Sequence, residues 1–380
     1  MNAEIEVGWL NADAPAIEFL PLDRGSTRLC INGRISPVIN SMIRDARVSL
    51  EELTDRLHCQ TASAGSMTIL LCSCSRGVGC TSLAVAWAAI ALAQLYGRTG
   101  SSKYLDGALW AANFIETTTR DNINVTPGGY YFGNGQTNKS TEHNIDVYAL
   151  YTMLARLSGN NFWLDGAQHA LAFVHAMFDP PSGHFWTGTS DPTQIFFNNS
   201  PEDVQTWSYL AFQDPNYAVS IDWVKTNLAT TDTTFAFNNG WDTNTGLRLR
   251  VSGMTYASLS KLGTVLGDNT VDADAVWIEG TGHLIAALML RGLPPGKDIP
   301  SFHGDKDLAS TLAENVQVAQ NSLGAGQTVN GQALVLGQGL TASTSILNTG
   351  FGFNYFPYLH IGATSWYVMG TQGENPLQLL

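Results

Sequence analysis

The sequence predicts an all-α fold in which helical hairpins form a ring. From residue 80 onward, segments with helical hydrophobic spacing alternate with loops rich in Gly, Asn and Pro. No segment shows the strand–helix–strand spacing of a Rossmann unit, and neither GxGxxG nor GxxxxGK occurs. Hairpins joined by polar loops over about 300 residues favour a closed ring of paired helices over a layered sheet.

Helical periodicity is strong in four segments and weaker in six others. In the third segment, Val147, Leu150 and Leu154 recur on one face as its apolar stripe. The predicted helices are Leu83–Tyr96, Tyr104–Thr118, Ser140–Leu157, Phe162–Phe178, Glu202–Phe212, Asn216–Asn227, Met254–Leu262, Trp277–Leu290, Asp305–Leu323 and Gly362–Met369. The predicted short strands are Gly129–Phe132, His184–Thr187, Gly246–Val251 and Gly352–Phe356.

The N-terminal segment differs from the rest of the chain. Residues 36–57 predict one helix, and the remainder of residues 1–66 has no clear period. We expect a single domain over residues 67–380. Residues 1–66 are then a leader, part of the first hairpin, or sequence foreign to the ring.

The composition points to an uncharged polar surface. Only 13% of the 380 residues are charged, against the ~25% usual for soluble domains, and 10% are aromatic. Such a surface suits contact with sugars, and it is also typical of secreted proteins, which favours an extracellular or periplasmic location. The net charge of -13 and the lack of a basic run argue against nucleic acid or an anionic membrane as partner. Oligomeric state is not predicted.

The cysteines and the N-terminus predict neither a cofactor nor a membrane anchor. All five cysteines lie in the first 80 residues, without the paired CxxC spacing of a zinc site. Buried thiols or an incidental disulfide are therefore favoured, and no metal is predicted. The first 20 residues are acidic and lack the apolar core of a signal peptide. The apolar run that begins at Met67 is interrupted by Arg76, which argues against a membrane span.

The stretch KSTEHNIDVY (139–148) places three ionisable groups in the first turns of a predicted helix. With Ser140 or Thr141 as N-cap, Glu142 and Asp146 lie four residues apart on one face. A first-turn glutamate complements the helix dipole, and His143 could be a cap residue, so a purely structural role is a real alternative. Like charges at this spacing repel, however, and this favours a functional site. Tyr131, just upstream, is a candidate substrate contact, as is His143.

A second carboxylate centre is predicted at Glu279, in the apolar stretch AVWIEGTGH (275–283). Trp277 precedes it by two residues and is a candidate substrate contact. Gly280 and Gly282 near a helix start cost stability, so they answer a requirement for packing or access. A buried glutamate with a packing or capping role is the alternative.

Two aromatic segments complete the candidates. Trp241 and Asp242, in NNGWDTN (238–244), could form a sugar-stacking subsite, although turn chemistry alone explains that composition better. Near the C-terminus, Tyr355, Tyr358 and His360 precede the last helix, where exposed aromatic side chains would line the mouth of a ring. Tyr355 and His360 are candidate substrate contacts.

Three stretches carry a resemblance to a known superfamily. KSTEHNIDVYAL, VWIEGTGHLIAAL and NTGFGFNYFPYLHIGATSWYV resemble bacterial proteins of the six-hairpin glycosidase superfamily. The resemblance covers the chain from about residue 80 to the end. It implies an (α/α)6 toroid with short strands at the mouth, and activity on a poly- or oligosaccharide. It places Glu142, Asp146 and Glu279 at the mouth, near the ends of inner helices.

Glycoside hydrolysis needs one carboxylic acid and one carboxylate. We expect Glu142 to be the general acid and Glu279 the general base of an inverting hydrolase, although the two roles are interchangeable. Asp146 would hold the sugar or orient Glu142. The alternatives are a lyase or epimerase, with His143 or His360 and Tyr131 or Tyr355 as proton carriers, and a non-catalytic glycan-binding ring.

Overall fold

The chain forms nine α-helices in its described part. The computed structural model describes residues 81–123, 127–235, 248–266, 271–291, 302–324, 327–329 and 339–379, with 332–333, 337 and four strands in the first 73 residues. The helices are α1 (Thr81–Thr99), α2 (Ser102–Thr119), α3 (Thr141–Ser158), α4 (Phe162–Met177), α5 (Asp203–Phe212), α6 (Ala218–Asn227), α7 (Ile278–Leu290), α8 (Asp305–Ser322) and α9 (Ile361–Gln372).

These helices build a ring of hairpins, as predicted. The odd-numbered helices form an inner layer in which each packs against the next, from α1 through α9. Each even-numbered helix packs outside the helix that precedes it. The ring closes where Trp366 of α9 meets Trp87 of α1. Within the described residues, the ring therefore contains five inner and four outer helices.

Local sequence signals set where the helices begin and end. The Ser140 side chain accepts the backbone N–H of His143 at the start of α3. At its other end, Gly159 has a φ of 69° and returns its N–H to Ala155, a left-handed cap that glycine adopts without strain. Because these signals are local, the bounds of α3 match the predicted helix closely.

The centre of the ring is filled by one side chain from each inner helix. Trp87, Trp207 and Trp366 lie in mutual contact, with ring centroids 5.4 to 5.9 Å apart. The His283 ring lies 4.4 Å from that of Trp366. Asp146 of α3 is fully buried and faces Trp87. These five side chains, the central cluster, keep the inner helices at a fixed spacing.

Two glycines let α7 and α9 approach closely. A Cβ at Gly370 would lie 2.8 Å from the Gly282 carbonyl oxygen, and a Cβ at Gly282 would lie 3.0 Å from the Trp366 backbone. Neither position tolerates a side chain without displacing backbone. Gly282 therefore answers a requirement for packing between helices.

The connections that precede the inner helices meet on one side of the ring, the mouth. The Glu202 N–H donates to the Tyr256 carbonyl at 2.8 Å, and the Trp277 N–H donates to the Met254 carbonyl at 2.7 Å. At α3, the Thr141 hydroxyl donates to the Trp186 carbonyl. The starts of α3, α5 and α7 are thus tied to strands and loops of the mouth.

Short antiparallel strand pairs form these connections. The paired strands are β5 (Lys139–Ser140) with β8 (Gly188–Thr189), β6 (Phe178–Asp179) with β7 (His184–Phe185), β9 (Ala229–Phe235) with β10 (Arg248–Met254), β11 (Thr328–Val329) with β12 (Gln332–Ala333), and β13 (Leu347–Asn348) with β14 (Asn354–Tyr355). Nearer the N-terminus, β1 (Ala3–Val7) pairs with β4 (Ile69–Ser73), and β2 (Ile17–Leu22) pairs with β3 (Ser26–Ile31).

A buried ion pair holds the strand that leads into α3. The Lys139 ammonium lies 2.6 Å from the Asp121 carboxylate and donates to the Gly128 carbonyl at 2.6 Å. Both charged side chains are fully buried. Because a buried charge without its partner is costly, this pair fixes the position of the segment immediately before Glu142.

The last residues close the opposite side of the ring. The Asn375 side chain donates to the Leu210 carbonyl at the end of α5. Gln94 of α1 donates to the Pro376 and Gln378 carbonyls. The segment after α9 therefore ties the C-terminal ends of inner helices together, opposite the mouth.

Three sequence predictions are corrected or lie beyond the described residues. Met254–Leu262 is no α-helix: Met254 ends β10, and a 3-10 helix covers Ser258–Leu266. Gly129–Phe132 contains only an isolated bridge from Tyr130 to Arg120, so it is no strand. The predicted helix at 36–57 falls outside the described part, and the domain boundary near residue 67 remains a prediction.

None of the described helices is both long and apolar enough to span a bilayer.

We predict opposite responses to alanine at two helical glycines. A Cβ at Gly166 of α4 would lie 2.5 Å from the Tyr151 ring, so Gly166→Ala should lower the free energy of unfolding by about 1–3 kcal/mol. At Gly97 of α1 the nearest atom is 3.7 Å away, so Gly97→Ala should be neutral or stabilise by up to about 1 kcal/mol. Urea unfolding measures both. Equal effects would contradict the packing of α4 against α3.

Candidate active site

Glu279 lies in the first turn of α7 at the mouth. Its side chain is 16% exposed, and its carboxylate oxygen lies 3.6 Å from the His360 Nδ1. Burial raises the pKa of Glu279 to about 7. A Cβ at Gly362 would overlap this carboxyl group. The glycine that makes room for Glu279 is therefore Gly362 of α9, whereas Gly280 lies against the Trp277 ring.

The geometry of His360 is compatible with a protonated Glu279. The His360 Nδ1 accepts the backbone N–H of Ala363 at 3.1 Å, so this nitrogen presents a lone pair. A carboxylate oxygen facing it would add a second lone pair. The Nδ1 lone pair is already used by the Ala363 N–H, so His360 donates no hydrogen bond to Glu279, which agrees with the raised pKa of Glu279.

Two adjacent acids open α5 beside Glu279. Asp203 is buried, and its carboxylate accepts the N–H of Val204 at 2.6 Å. Burial raises the pKa of Asp203 to about 7, against the lowering effect of that hydrogen bond, and the Glu279 charge raises it further. For Glu202, burial and the Asp203 charge raise the pKa well above its ordinary value. Asp203 and Glu279 thus share one poorly hydrated region.

Glu202 points down to the central cluster. Its carboxylate oxygen lies 2.9 Å from the His283 Nδ1, and both groups are buried. Burial raises the pKa of Glu202 and lowers that of His283, so both groups favour their neutral forms. A neutral acid–imidazole hydrogen bond therefore joins α5 to α7 beneath the mouth.

Tyr256 lies within electrostatic range of acidic side chains from three inner helices. Burial raises the pKa of its hydroxyl well above the usual value, and the nearby Asp203, Tyr355, Glu142 and Glu279 raise it further. Glu142, half-buried in the first turn of α3, is thereby within electrostatic range of the same hydroxyl as Glu279. Both sequence-predicted acids therefore act electrostatically on one buried hydroxyl, and their assembly into one catalytic site remains a prediction.

Asp146 occupies a deeper position than Glu142. It is fully buried within the ring, where burial and then the Asp203 charge raise its pKa well above the ordinary value. A hydrogen bond with the Trp87 indole acts in the opposite direction and lowers the pKa of Asp146. A fully buried carboxyl is not in contact with a ligand at the mouth, so Asp146 can act only on neighbouring groups.

An aromatic wall backs the acids. The Tyr256 ring lies 4.7 Å from that of Trp277, and the Tyr355 ring stacks on Trp277 at 5.8 Å. Trp277 is only 2% exposed, so it supports the wall instead of offering a sugar-binding face. Tyr355 is half-buried and lies 6.0 Å from His360.

The remaining candidates lie elsewhere. His143 is buried and stacked on Phe132, and burial lowers its pKa to about 3. It therefore packs beneath the mouth without reaching a ligand. The Tyr131 ring lies 5.4 Å from the Lys139 ammonium, in the connection before α3. Trp241 and Asp242 fall outside the described residues.

Three residues of the site were missed by sequence reasoning. The sequence predicts that a helix begins at Glu202, but it does not predict a functional role for Glu202 or Asp203. The signal was present, because two adjacent acids open a helix just as Glu142 does. Tyr256 carried no local signal, since only the packing of the β10 end against α5 and α7 brings it to the acids.

Within the described part of the chain, no group of three or more His, Cys, Asp or Glu side chains is arranged to hold a metal. All five cysteines lie outside the residues whose side chains are described.

Comparisons with known proteins give only distant matches. No family model and no curated protein matches the chain. Among solved structures, a GH76 α-mannanase from Bacteroides thetaiotaomicron is 16% identical, with 76% of this chain and 68% of that chain covered and a TM-score of 0.42. The GH76A α-1,6-mannanase from Salegentibacter sp. is 14% identical, with coverage of 90% and 87% and a TM-score of 0.45. A polysaccharide lyase is 15% identical, with coverage of 85% and 77% and a TM-score of 0.45.

We predict that Glu279 makes the protein less stable as the pH rises. The folded protein keeps the Glu279 proton up to about pH 7, whereas an ordinary glutamate loses it near 4.5. This contribution to stability is complete below pH 4.5 and is lost as the pH rises through about 7. Glu279→Gln should therefore gain stability relative to wild type between about pH 5 and about pH 8.

Urea unfolding at these two pH values measures the effect. Glu314→Gln, at an exposed position of α8, is the matched control and should follow the wild-type dependence. If Glu279→Gln and wild type lose stability in parallel, Glu279 is not held in its protonated form.

Proposed function

We propose that this protein is a glycoside hydrolase acting on a neutral poly- or oligosaccharide. The observation that supports this most directly is that Glu142 and Glu279, from separate inner helices, both raise the pKa of the buried Tyr256 hydroxyl and so lie within electrostatic range of it. Hydrolysis of a glycosidic bond requires two carboxyl groups that differ in protonation state. Burial raises the pKa of Glu279 to about 7, which suits the protonated member of such a pair, and Glu142 lies in the first turn of a separate inner helix.

The environments favour Glu279 as the acid. A general acid must hold its proton near neutral pH, and the pKa of Glu279 is raised to about 7 by burial. Glu142 is half-buried at the positive end of α3, where the helix dipole favours a carboxylate. The proposal therefore reverses the roles first expected from the sequence, where the two assignments were interchangeable.

The proposed reaction proceeds by proton transfer at both ends of the bond. Glu279 gives its proton to the glycosidic oxygen as the bond to the anomeric carbon breaks. Glu142 takes a proton from water as the water oxygen bonds to that carbon. The products are a free hydroxyl on the leaving sugar and a new reducing end. Exchange with solvent returns both carboxyls to their starting states.

In the proposal, Asp203 and Asp146 modify the electrostatic surroundings of Glu279 and Glu142. Asp203 raises the pKa of Tyr256 and responds to the charge of Glu279. Asp146, buried below, acts through Asp203. Both have raised pKa values because of burial, so they add little negative charge to the site below neutral pH.

Charge at the site favours neutral sugars over uronic acids. Glu202 and Glu279 contact histidines, and no lysine or arginine pairs with Glu202, Asp203 or Glu279 in the described part of the chain. A lyase acting on uronic acids would need cationic groups to neutralise the substrate carboxylate. Products with unsaturated ends would nevertheless identify a lyase directly.

We predict that Glu279→Gln and Glu142→Gln each lower kcat/KM by about 10²- to 10⁴-fold, because each removes a proton-transfer partner. Release of reducing ends from a panel of neutral polysaccharides measures the loss. Glu314→Gln serves as the control and should retain full activity. If Glu279→Gln hydrolyses the best substrate at the wild-type rate, the proposed mechanism is wrong.

The pH profile gives a separate test. Because Glu279 must be protonated, the hydrolysis rate should fall as the pH rises through about 7. Activated aryl glycosides, whose leaving groups depart without protonation, should weaken this dependence in the wild type and restore part of the lost rate in Glu279→Gln. A rate that increases steadily above pH 7 would exclude Glu279 as the acid.

A further inference from the structure

Two aromatic side chains are exposed side by side immediately before α9. Phe356 is 36% exposed and Tyr358 is 38% exposed, with ring centroids 5.6 Å apart and planes inclined by 22°. Pro357 between them is buried. The Tyr358 N–H donates to the Phe356 carbonyl at 2.7 Å, so the backbone makes a tight turn at Pro357 that leaves both rings exposed. Exposed large apolar side chains usually occur singly, so a stacked pair requires an explanation.

The segment that carries the two rings is held firmly. The Gln327 side chain donates to the Pro357 carbonyl and accepts the Leu359 N–H, both at 2.8 Å. The His360 N–H donates to the Leu340 carbonyl at 2.7 Å. A rigid support lowers the entropy cost of binding because the rings need no ordering when a ligand arrives.

Two backbone hydrogen bonds in series connect this segment to the candidate acid. The Tyr358 carbonyl accepts the N–H of Ala342 at 2.8 Å, and the Ala342 carbonyl accepts the N–H of Ile278 at 3.0 Å. Ile278 immediately precedes Glu279. Since each step across hydrogen-bonded backbone segments is about 4.8 Å, the Tyr358 backbone lies on the order of 10 Å from the start of α7.

The inner face of the same segment joins the aromatic wall. Tyr355 stacks on Trp277, and its ring lies 6.0 Å from that of His360, next to Glu279. The segment thus carries Tyr355 toward the acids and the stacked pair toward solvent. A ligand that reaches from the acids across the rim of the mouth would pass over both faces.

We propose that Phe356 and Tyr358 form a binding platform for a sugar ring of a neutral glycan, outside the position where the bond is cleaved. This rests on the proposed function for its placement along the substrate. Flat aromatic faces pack against the apolar face of a sugar ring, and the Tyr358 hydroxyl supplies a polar contact. The chain carries a net charge of -13, which disfavours an acidic glycan as the occupant.

The platform should contribute to binding without taking part in the chemistry. It lies beyond the acids, so its contacts with the ligand are the same in the ground state and the transition state. Removing such contacts raises KM and leaves kcat unchanged. The effect should be confined to substrates long enough to reach the rings.

The experiment measures binding in the Glu279→Gln background, so that no ligand is consumed. Electrophoresis through gels containing soluble mannan, xylan or mixed-linkage β-glucan gives the affinity for each. Adding Phe356→Ala and Tyr358→Ala together should weaken binding to the retarding glycan about tenfold or more. Tyr358→Phe keeps the ring and should largely retain binding.

Trp110→Ala is the matched control, because Trp110 is 61% exposed on the outer helix α2 and should not contribute. Thermal unfolding confirms that each variant folds. Unchanged retardation in the double variant, or no retardation by any of the three glycans, would overturn the platform. A dimer that dissociates on the double substitution would also overturn it, because the occupant would then be a second copy of the chain.

Failure of the platform is distinguishable from failure of the proposed hydrolase. Binding in the Glu279→Gln background does not depend on catalysis. A wild-type protein that binds glycan through the two rings but releases no reducing ends would refute hydrolysis and leave the platform intact. If hydrolysis is lost in Glu279→Gln but glycan binding does not depend on the two rings, the platform is refuted and the proposed hydrolase stands.

Discussion

The structure depends on how the axis of its helical ring is filled. Parallel inner helices leave a space between them that backbone atoms cannot close, and an empty apolar space of that size is costly. Here Trp87, Trp207 and Trp366 occupy it, with His283 and Asp146 completing the contacts between neighbouring helices. Large, flat aromatic rings suit this position because a rigid ring spans the distance between neighbouring inner helices. The spacing of every inner helix follows from this filling.

The same filling determines the electrostatics of the mouth. The central cluster excludes water from below, so carboxyl groups just above it lose hydration. Helix N-termini favour charged acids, yet burial raises the pKa of both Glu279 and Asp203 to about 7. Desolvation therefore outweighs the helix dipole at both positions. Glu142 occupies the equivalent position at the start of α3, where its side chain is half-buried.

The helices of the ring could be predicted because the signals that begin and end them lie within a few residues. Parts of the site could not be predicted because they depend on contacts between segments that are distant in the sequence. Ser140 and Gly159 delimit α3 through interactions within a few residues, and such bounds follow from sequence. Glu142 and Glu279 were found because a carboxyl in an apolar helix start is unusual. Tyr256 and the depth of Trp277 depend on which strand meets which helix, and a residue pattern does not contain that information.

The candidate acids occupy the opening turns of their helices, where Glu202 and Asp203 are neighbours with different surroundings. Successive helical residues are rotated by about 100°, so one of the pair reaches His283 while the other faces Glu279 and Tyr256. Inserting or deleting one residue at this boundary would exchange their surroundings without altering composition. The length of the loops around the outer helices leaves these surroundings unchanged, whereas the register of each inner helix start determines them.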